Sequence, residues 1–203
     1  MGGFVARNVL DTVLCDVGGV LIRFDPAVAK AIEHVHGLAE DSLLPAALKS
    51  RPSQQAMAGA IDHETWRKEV GVLVGDRAVE EWLGYHGELD SEVVAHLKTV
   101  RDRGFRVVLL SNATGRLRDD LAFHGLLDVA DLVLCSAEMN LVKPDPRCYR
   151  EAARLGVFTL EKALYVDDTP SWVAAGSALG MTGHVFTTAQ ALHACLDSKG
   201  FLQ

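Results

Sequence analysis

Short apolar runs recur along this chain, separated by stretches whose apolar residues return every third or fourth position. The first pattern reads as buried strand and the second as amphipathic helix. Strands are predicted at 12–22, 105–110, 132–135, 163–166 and 184–186. Helices are predicted between them. In one, Ser91 is the N-cap, Val93, Val94, Leu97 and Val100 share a face, and Gly104 stops the helix. Others cover 116–124, 146–156, 171–179 and 188–196, several closed by a glycine or opened by a proline. Asp25-Pro26 has the form of a helix start, with Asp as N-cap and Pro in the first helical position, and that helix runs to Gly37. From there to about residue 87 the pattern is helical only, with segments at 40–48, 54–60, after Asp62 and at 76–86. Strands separated by helices of this length imply a parallel sheet with right-handed crossovers. The expected architecture is α/β, a doubly wound parallel sheet (1–24 and 88–203) with a helical insertion (25–87) after the first strand.

Composition changes this picture little. A chain of 203 residues can hold one sizeable core with a modest insertion. Twenty basic residues against 27 acidic ones give a net charge of -7, with no basic stripe, so a nucleic-acid partner is not expected. No apolar stretch approaches membrane-spanning length and no leader pattern opens the chain, so neither membrane nor export is expected. Cys15, Cys135, Cys148 and Cys195 form no close pair, and buried thiols in a reducing cytoplasm are the expectation. A monomer or homodimer is expected.

The ends of the predicted strands carry the chemistry. Val13-Leu14-Cys15-Asp16-Val17-Gly18-Gly19 places a carboxylate after a buried strand, followed by glycines that leave the backbone free for a substrate to approach. A second strand ends in Ser111-Asn112 and another in Asp167-Asp168, with Lys143-Pro144 between them. Asp16 is a candidate nucleophile toward phosphorus if Mg²⁺ neutralises charge on both partners. The Gly18 carbonyl is a further candidate metal ligand. Ser111 and the Asn112 backbone are candidates to hold phosphate oxygens, and Lys143 to neutralise them. Asp167 and Asp168 are adjacent carboxylates that repel unless a cation or proton intervenes. Each element alone has an ordinary explanation, such as a turn, a helix cap or a surface lysine. Their order together is far more specific.

With these motifs the chain resembles the haloacid dehalogenase-like hydrolase superfamily, in the branch with a small helical cap after the first strand. Asp16-Val17-Gly18-Gly19-Val20-Leu21 is similar to its first motif, Ser111-Asn112 to the second and Lys143-Pro144 to the third. Asp167-Asp168, followed by Ala175-Gly176-Ser177-Ala178-Leu179-Gly180-Met181, is similar to the fourth. The resemblance runs from residue 12 to about 187. It implies a Mg²⁺-dependent phosphatase that acts on a small phosphorylated metabolite, such as a sugar phosphate, through an aspartyl-phosphate. It also implies that 25–87 closes over the site. The alternatives are a catalytically weak binding or regulatory protein of the same fold, and a haloacid dehalogenase.

Three departures from the family pattern stand out. Ordinary members hold a second Asp where this chain has Gly18, and that side chain protonates the leaving group. General acid–base catalysis is worth about 10²- to 10⁴-fold. Members with Gly there resemble sugar-1-phosphate phosphatases, whose anomeric leaving group needs the acid less. Trp172 stands where a small amide is common, and either fills the site floor or packs. Asn140 stands where Gly is usual. In the insertion, His63, Trp66 and Arg67 either face the site or lie on an ordinary helix surface. Arg23 and Asp25 follow the first strand closely enough to meet a substrate, although Asp25 also serves as a helix cap.

Overall fold

The computed structural model describes residues 9–203. Five parallel strands form the central sheet: β1 (Thr12–Cys15), β4 (Arg106–Ser111), β5 (Leu132–Cys135), β6 (Ala163–Asp167) and β7 (Thr182–Val185). Their spatial order is β5-β4-β1-β6-β7. The chain runs outward from β1 in one direction, then crosses back to fill the other side. The switch point therefore lies between β1 and β6, and open α/β sheets bind ligands outside the strand ends at such a point.

Period-two alternation distributes each strand between two cores. Val13, Cys15, Val107, Leu109, Leu164 and Val166 face one way. They pack on Val93, Leu97 and Val100 of α6 (Ser91–Asp102), Leu121 of α7 (Leu117–Phe123), and Leu192 and Leu196 of α11 (Ala189–Ser198). Leu14, Val108, Leu110 and Tyr165 face the other way. They meet Cys148, Tyr149 and Ala152 of α9 (Pro146–Gly156) and Val173 of α10 (Pro170–Ser177). Apolar burial on both faces explains why the strands read as continuous hydrophobic runs.

The apolar run at 12–22 is not one strand. β1 stops at Cys15, and the amides of Val20, Leu21 and Ile22 all turn back to the Val17 carbonyl. Gly19, at φ +78°, makes this turn. The chain then forms β2 (Ile22–Arg23), which pairs antiparallel with β3 (Glu88–Leu89). Two-residue strands carry no periodicity, so this ribbon left no pattern in the sequence. It brings together the two ends of the helical segment.

That segment holds α1 (Pro26–His36), α2 (Leu43–Leu48), α3 (Arg51–Met57), α4 (His63–Val74) and α5 (Asp76–Gly84). They bury a separate cluster that includes Ile32, Leu43, Trp66, Val70, Val79 and Trp82. Asp25 caps α1, accepting from the Ala27 amide at 2.8 Å, and Asp62 caps α4 through the Thr65 amide at 2.7 Å. Several bounds differ from the sequence expectation. The helix expected at 54–60 begins at Arg51, because Ser50 caps it and Pro52 sits in its first turn. Asp90, not Ser91, caps α6, through the Val93 amide. The four-residue α8 (Ser136–Met139) had no apolar period to betray it. Among the described residues, no helix is long and apolar enough to cross a membrane, and all four cysteines are free.

Candidate active site

Parallel register sets the carboxylates side by side. Cys15 pairs with Val166, so Asp16 and Asp167 leave neighbouring strands at the same level. Cys15 also pairs with Leu109, which brings Ser111 to the same edge on the other flank. Asp16, Asp167 and Asp168 each offer an oxygen, and the three lie within 4.8 Å of one another. Asp16 and Asp167 are buried, whereas Asp168 is exposed.

Lys143 reaches this edge from the loop before α9. Its Nζ lies 3.0 Å from Asp16 Oδ1 and 2.7 Å from Asp167 Oδ2. A fully buried ammonium is costly unless it is paired and hydrogen-bonded. Here two carboxylates meet that need. Burial pulls the Lys143 ammonium down, but Asp16 and Asp167 outweigh it and hold its pKa above the usual lysine value. The Trp172 ring lies across the same ammonium at 4.7 Å. Trp172 is therefore part of the wall around the lysine, in cation–π contact. The Lys143 backbone is clamped by Asn112: Asn112 Nδ2 donates to its carbonyl at 2.9 Å, and its amide donates to Asn112 Oδ1 at 2.8 Å. The Asn112 side chain is thus committed to holding the lysine loop.

The two buried aspartates divide their oxygens differently. Asp16 Oδ1 accepts from Lys143 and from the Val17 amide at 2.7 Å. Asp16 Oδ2 stays uncommitted among the described residues. Burial pushes the Asp16 carboxyl up to about 7; Lys143 opposes that shift and Asp167 adds to it. Asp167 Oδ2 accepts from Lys143 and from the Tyr165 hydroxyl at 2.6 Å, while Oδ1 accepts the Thr169 amide at 2.9 Å. Asp167 is chiefly the anchor of Lys143. Tyr165 and Thr169 escaped the sequence reading. The available signal for Tyr165 was period two, which puts residues 165 and 167 on one face.

The glycines differ in kind. Gly19 needs its positive φ, and a Cβ there would lie 2.1 Å from Asp168 Oδ2. Its amide donates to the Ile22 carbonyl at 2.8 Å, so Gly19 offers space rather than a donor to a ligand. A Cβ at Gly18 would meet nothing within 4 Å, and the position does not require a left-handed backbone.

Above this edge, a cavity of about 360 Å³ opens between the sheet and the helical segment. Gly18, Gly19, Ser111 and Asn112 form its floor, and Phe24, His63, Trp66, Trp82 and Tyr85 stand among its walls. Arg67 is not part of it; that guanidinium pairs with Glu64 and Glu80 on the outer surface. Asp25 caps its helix, and Arg23 approaches Asp90 at 4.0 Å. His63 Nδ1 lies 3.2 Å from Thr114 Oγ1, and burial followed by the nearby Arg116 charge lowers its pKa. Asn140 adopts the left-handed conformation that closes α8, at φ 54°, which Asn tolerates better than most residues.

Three carboxylates with an exposed edge make an all-oxygen donor set of the kind hard divalent cations select. The Gly19–Asp168 approach leaves Asp168 lying directly over the first loop, so the residues present fit Mg²⁺.

Fold and site together define a Rossmann-like α/β protein with an acidic, lysine-bridged centre beneath a helical insert. The family model for haloacid dehalogenase-like hydrolase matches residues 10–180, and the chain belongs to that family. It is 24% identical over 185 residues to a D-ribitol-5-phosphate phosphatase of Bacteroides thetaiotaomicron, covering 85% of this chain and 89% of the relative. A Thermus thermophilus phosphoserine phosphatase is 37% identical over 89 residues, 43% of this chain and 36% of that one. Among solved structures, a family enzyme of B. thetaiotaomicron in complex with magnesium and inorganic phosphate superposes with a TM-score of 0.75 at 18% identity, covering 88% of this chain and 94% of that one. That likeness concerns the fold.

Proposed function

We propose that the protein is a Mg²⁺-dependent phosphatase that hydrolyses a small phosphomonoester through an aspartyl-phosphate. The observation that carries this reading is the Lys143 ammonium held between Asp16 and Asp167, with Asp168 alongside, at the switch point of the sheet. Phosphatase relatives, among them the ribitol-phosphate enzyme, support it. Asp16 and Asp168 would hold Mg²⁺ together with the Gly18 carbonyl, and Asp167 would reach it directly or through water. Bound there, the ion offsets charge on the phosphoryl oxygens and on Asp16.

The uncommitted Oδ2 of Asp16 attacks phosphorus. The P–O bond to the leaving group breaks, and the leaving oxygen departs with the electron pair and takes up a proton from solvent. Lys143 neutralises the transferring group, while Ser111 and the Asn112 amide donate to its oxygens. Water then attacks the acyl phosphate, releasing inorganic phosphate and restoring Asp16. The insert α1–α5 acts as a cap that shields these steps from bulk water.

The test is phosphate release from a panel of phosphorylated metabolites and activated esters, with Mg²⁺ and with chelator. Turnover that Mg²⁺ supports and chelator abolishes, lost in Asp16→Asn, is the expected result. Failure to cleave any ester, together with no binding of Mg²⁺ or phosphate, overturns the reading.

A further inference from the structure

The cavity above the phosphate-facing floor says what the rest of the substrate is made of. Its walls are dominated by Phe24, Leu48, Met57, Trp66, Trp82 and Tyr85. Phe24 meets Tyr85 edge-on with centroids 6.0 Å apart, and Trp82 at 5.8 Å. Most polar side chains that reach the cavity are already engaged, Ser111 Oγ on the floor and His63 Nε2 being the exceptions. Ser53 Oγ bonds the Ala46 and Ala47 carbonyls and accepts from Trp66 Nε1 at 2.9 Å. Arg116 is turned to Asp120, His86 and the Leu83 carbonyl. Tyr85 Oη accepts from the Asp25 amide, and Asn112 is spent on Lys143.

A polyol entering here would surrender its water hydrogen bonds and find few partners, at about 1–3 kcal/mol for each hydroxyl left unsatisfied. A planar aromatic group gives up no such bonds and gains edge and face contacts with the walls. The floor makes a second, independent demand. Gly18 carries no acid, and the cavity's one imidazole, His63, has its pKa lowered by burial and then by the Arg116 charge, which disfavours its protonated form. A phenolic oxygen, with a pKa of about 10, departs as its anion without a donor, whereas an alkanol oxygen does not.

Resting on the phosphatase reading above, we infer that the substrate is a small aryl phosphate, with its ring in the Phe24–Trp82–Tyr85 cavity and a phenolic oxygen as leaving group. Hydrolysis then breaks the P–O bond to the ring oxygen, and the phenolate takes a proton from solvent.

Binding and leaving-group chemistry can be tested separately on the Mg²⁺-loaded protein. Calorimetry would compare methylphosphonate with benzylphosphonate, neither of which can be hydrolysed at its P–C bond. Benzylphosphonate should bind about tenfold tighter or more, from the apolar area of its ring. Kinetics would compare phenyl phosphate with hexafluoroisopropyl phosphate, whose leaving alcohol is of similar acidity but not aromatic, and with glucose 1-phosphate. Phenyl phosphate should have the highest kcat/KM. Phe24→Ala, at a half-exposed position, should lower the benzyl-over-methyl affinity ratio about fivefold. Equal binding of the two phosphonates, or preference for glucose 1-phosphate or the fluoroalkyl ester, overturns the inference and leaves the phosphatase reading standing. An unchanged ratio in Phe24→Ala also overturns it. Absence of cleavage of every ester, with no phosphate binding, instead brings down the phosphatase reading itself.

Discussion

Gly19 and Asp168 share one small volume: a Cβ on the glycine would lie 2.1 Å from the Asp168 carboxylate, and the glycine's φ is +78°. The side chain that completes the acidic cluster thus occupies space that only glycine leaves open. Gly19→Ala should lose about 1–2 kcal/mol of stability from the left-handed backbone alone. Displacement of Asp168 should in addition weaken Mg²⁺ binding at least tenfold. Thermal unfolding and Mg²⁺ calorimetry on the variant check both, and wild-type affinity would show that Asp168 does not depend on that space.

Gly18 behaves in the opposite way. A Cβ there would meet nothing within 4 Å, and its backbone is not left-handed. Gly18→Asp should therefore fold without a clash at its Cβ or a left-handed backbone penalty. If the missing carboxylic acid limits the reaction, the variant should raise kcat/KM for simple alkyl phosphates by about tenfold to a hundredfold. Aryl phosphates should change little. A plot of kcat/KM against leaving-group pKa, wild type beside variant, shows whether the slope flattens.

Lys143 is the sole ammonium placed between the buried carboxylates of Asp16 and Asp167 among the described residues. Lys143→Met should cost about 3–5 kcal/mol in metal-free protein at pH 8, because it leaves buried charge unpaired. The pH dependence follows from Asp16, whose folded pKa is raised to about 7 by burial against Lys143's opposing charge. The folded state keeps that proton to higher pH than the unfolded chain does. The contribution of Asp16 to stability in chelator should therefore be fully present below the ordinary carboxylate range, be lost as pH rises to about 7, and change no further above it. Without the lysine the loss should extend to higher pH. Urea unfolding at pH 5 and pH 8 in chelator measures it, and a penalty independent of pH would contradict it.

Tyr165 donates to Asp167 Oδ2 at 2.6 Å from within the strand. Burial, followed by the Asp167 charge, raises the phenol's pKa, so it remains a donor. Tyr165→Phe should cost about 1.5–3 kcal/mol, the range for a hydrogen bond to a charged group. It should also loosen Asp167 as the anchor of Lys143 and lower kcat more than it raises KM. Denaturant unfolding and steady-state kinetics separate the two effects.

Strand ends and helix caps were legible because their physics is local. The apolar runs ending in Asp16, Ser111 and Asp167, the Asp25-Pro26 and Asp62 helix starts, and the free thiols all follow from residue type and spacing. Where local pattern was too short, the reading failed. The run at 12–22 hid a turn at Gly19, and the β2–β3 ribbon is two residues deep.

The sequence by itself determined that this is a doubly wound α/β chain with acidic strand ends, because buried strands and capped helices are specified over a few neighbouring residues. Only the tertiary structure decided which oxygen of Asp16 stays uncommitted, that Asp167 anchors Lys143, and that Trp172 lies against the lysine. It alone decided that Arg67 turns outward while Phe24, Trp82 and Tyr85 enclose a cavity over the site. Each of these rests on groups far apart in the chain, brought together by strand register and by the packing of the insert. Competition among several partners for one buried charge, or for one cavity wall, is settled only when all of them are in place.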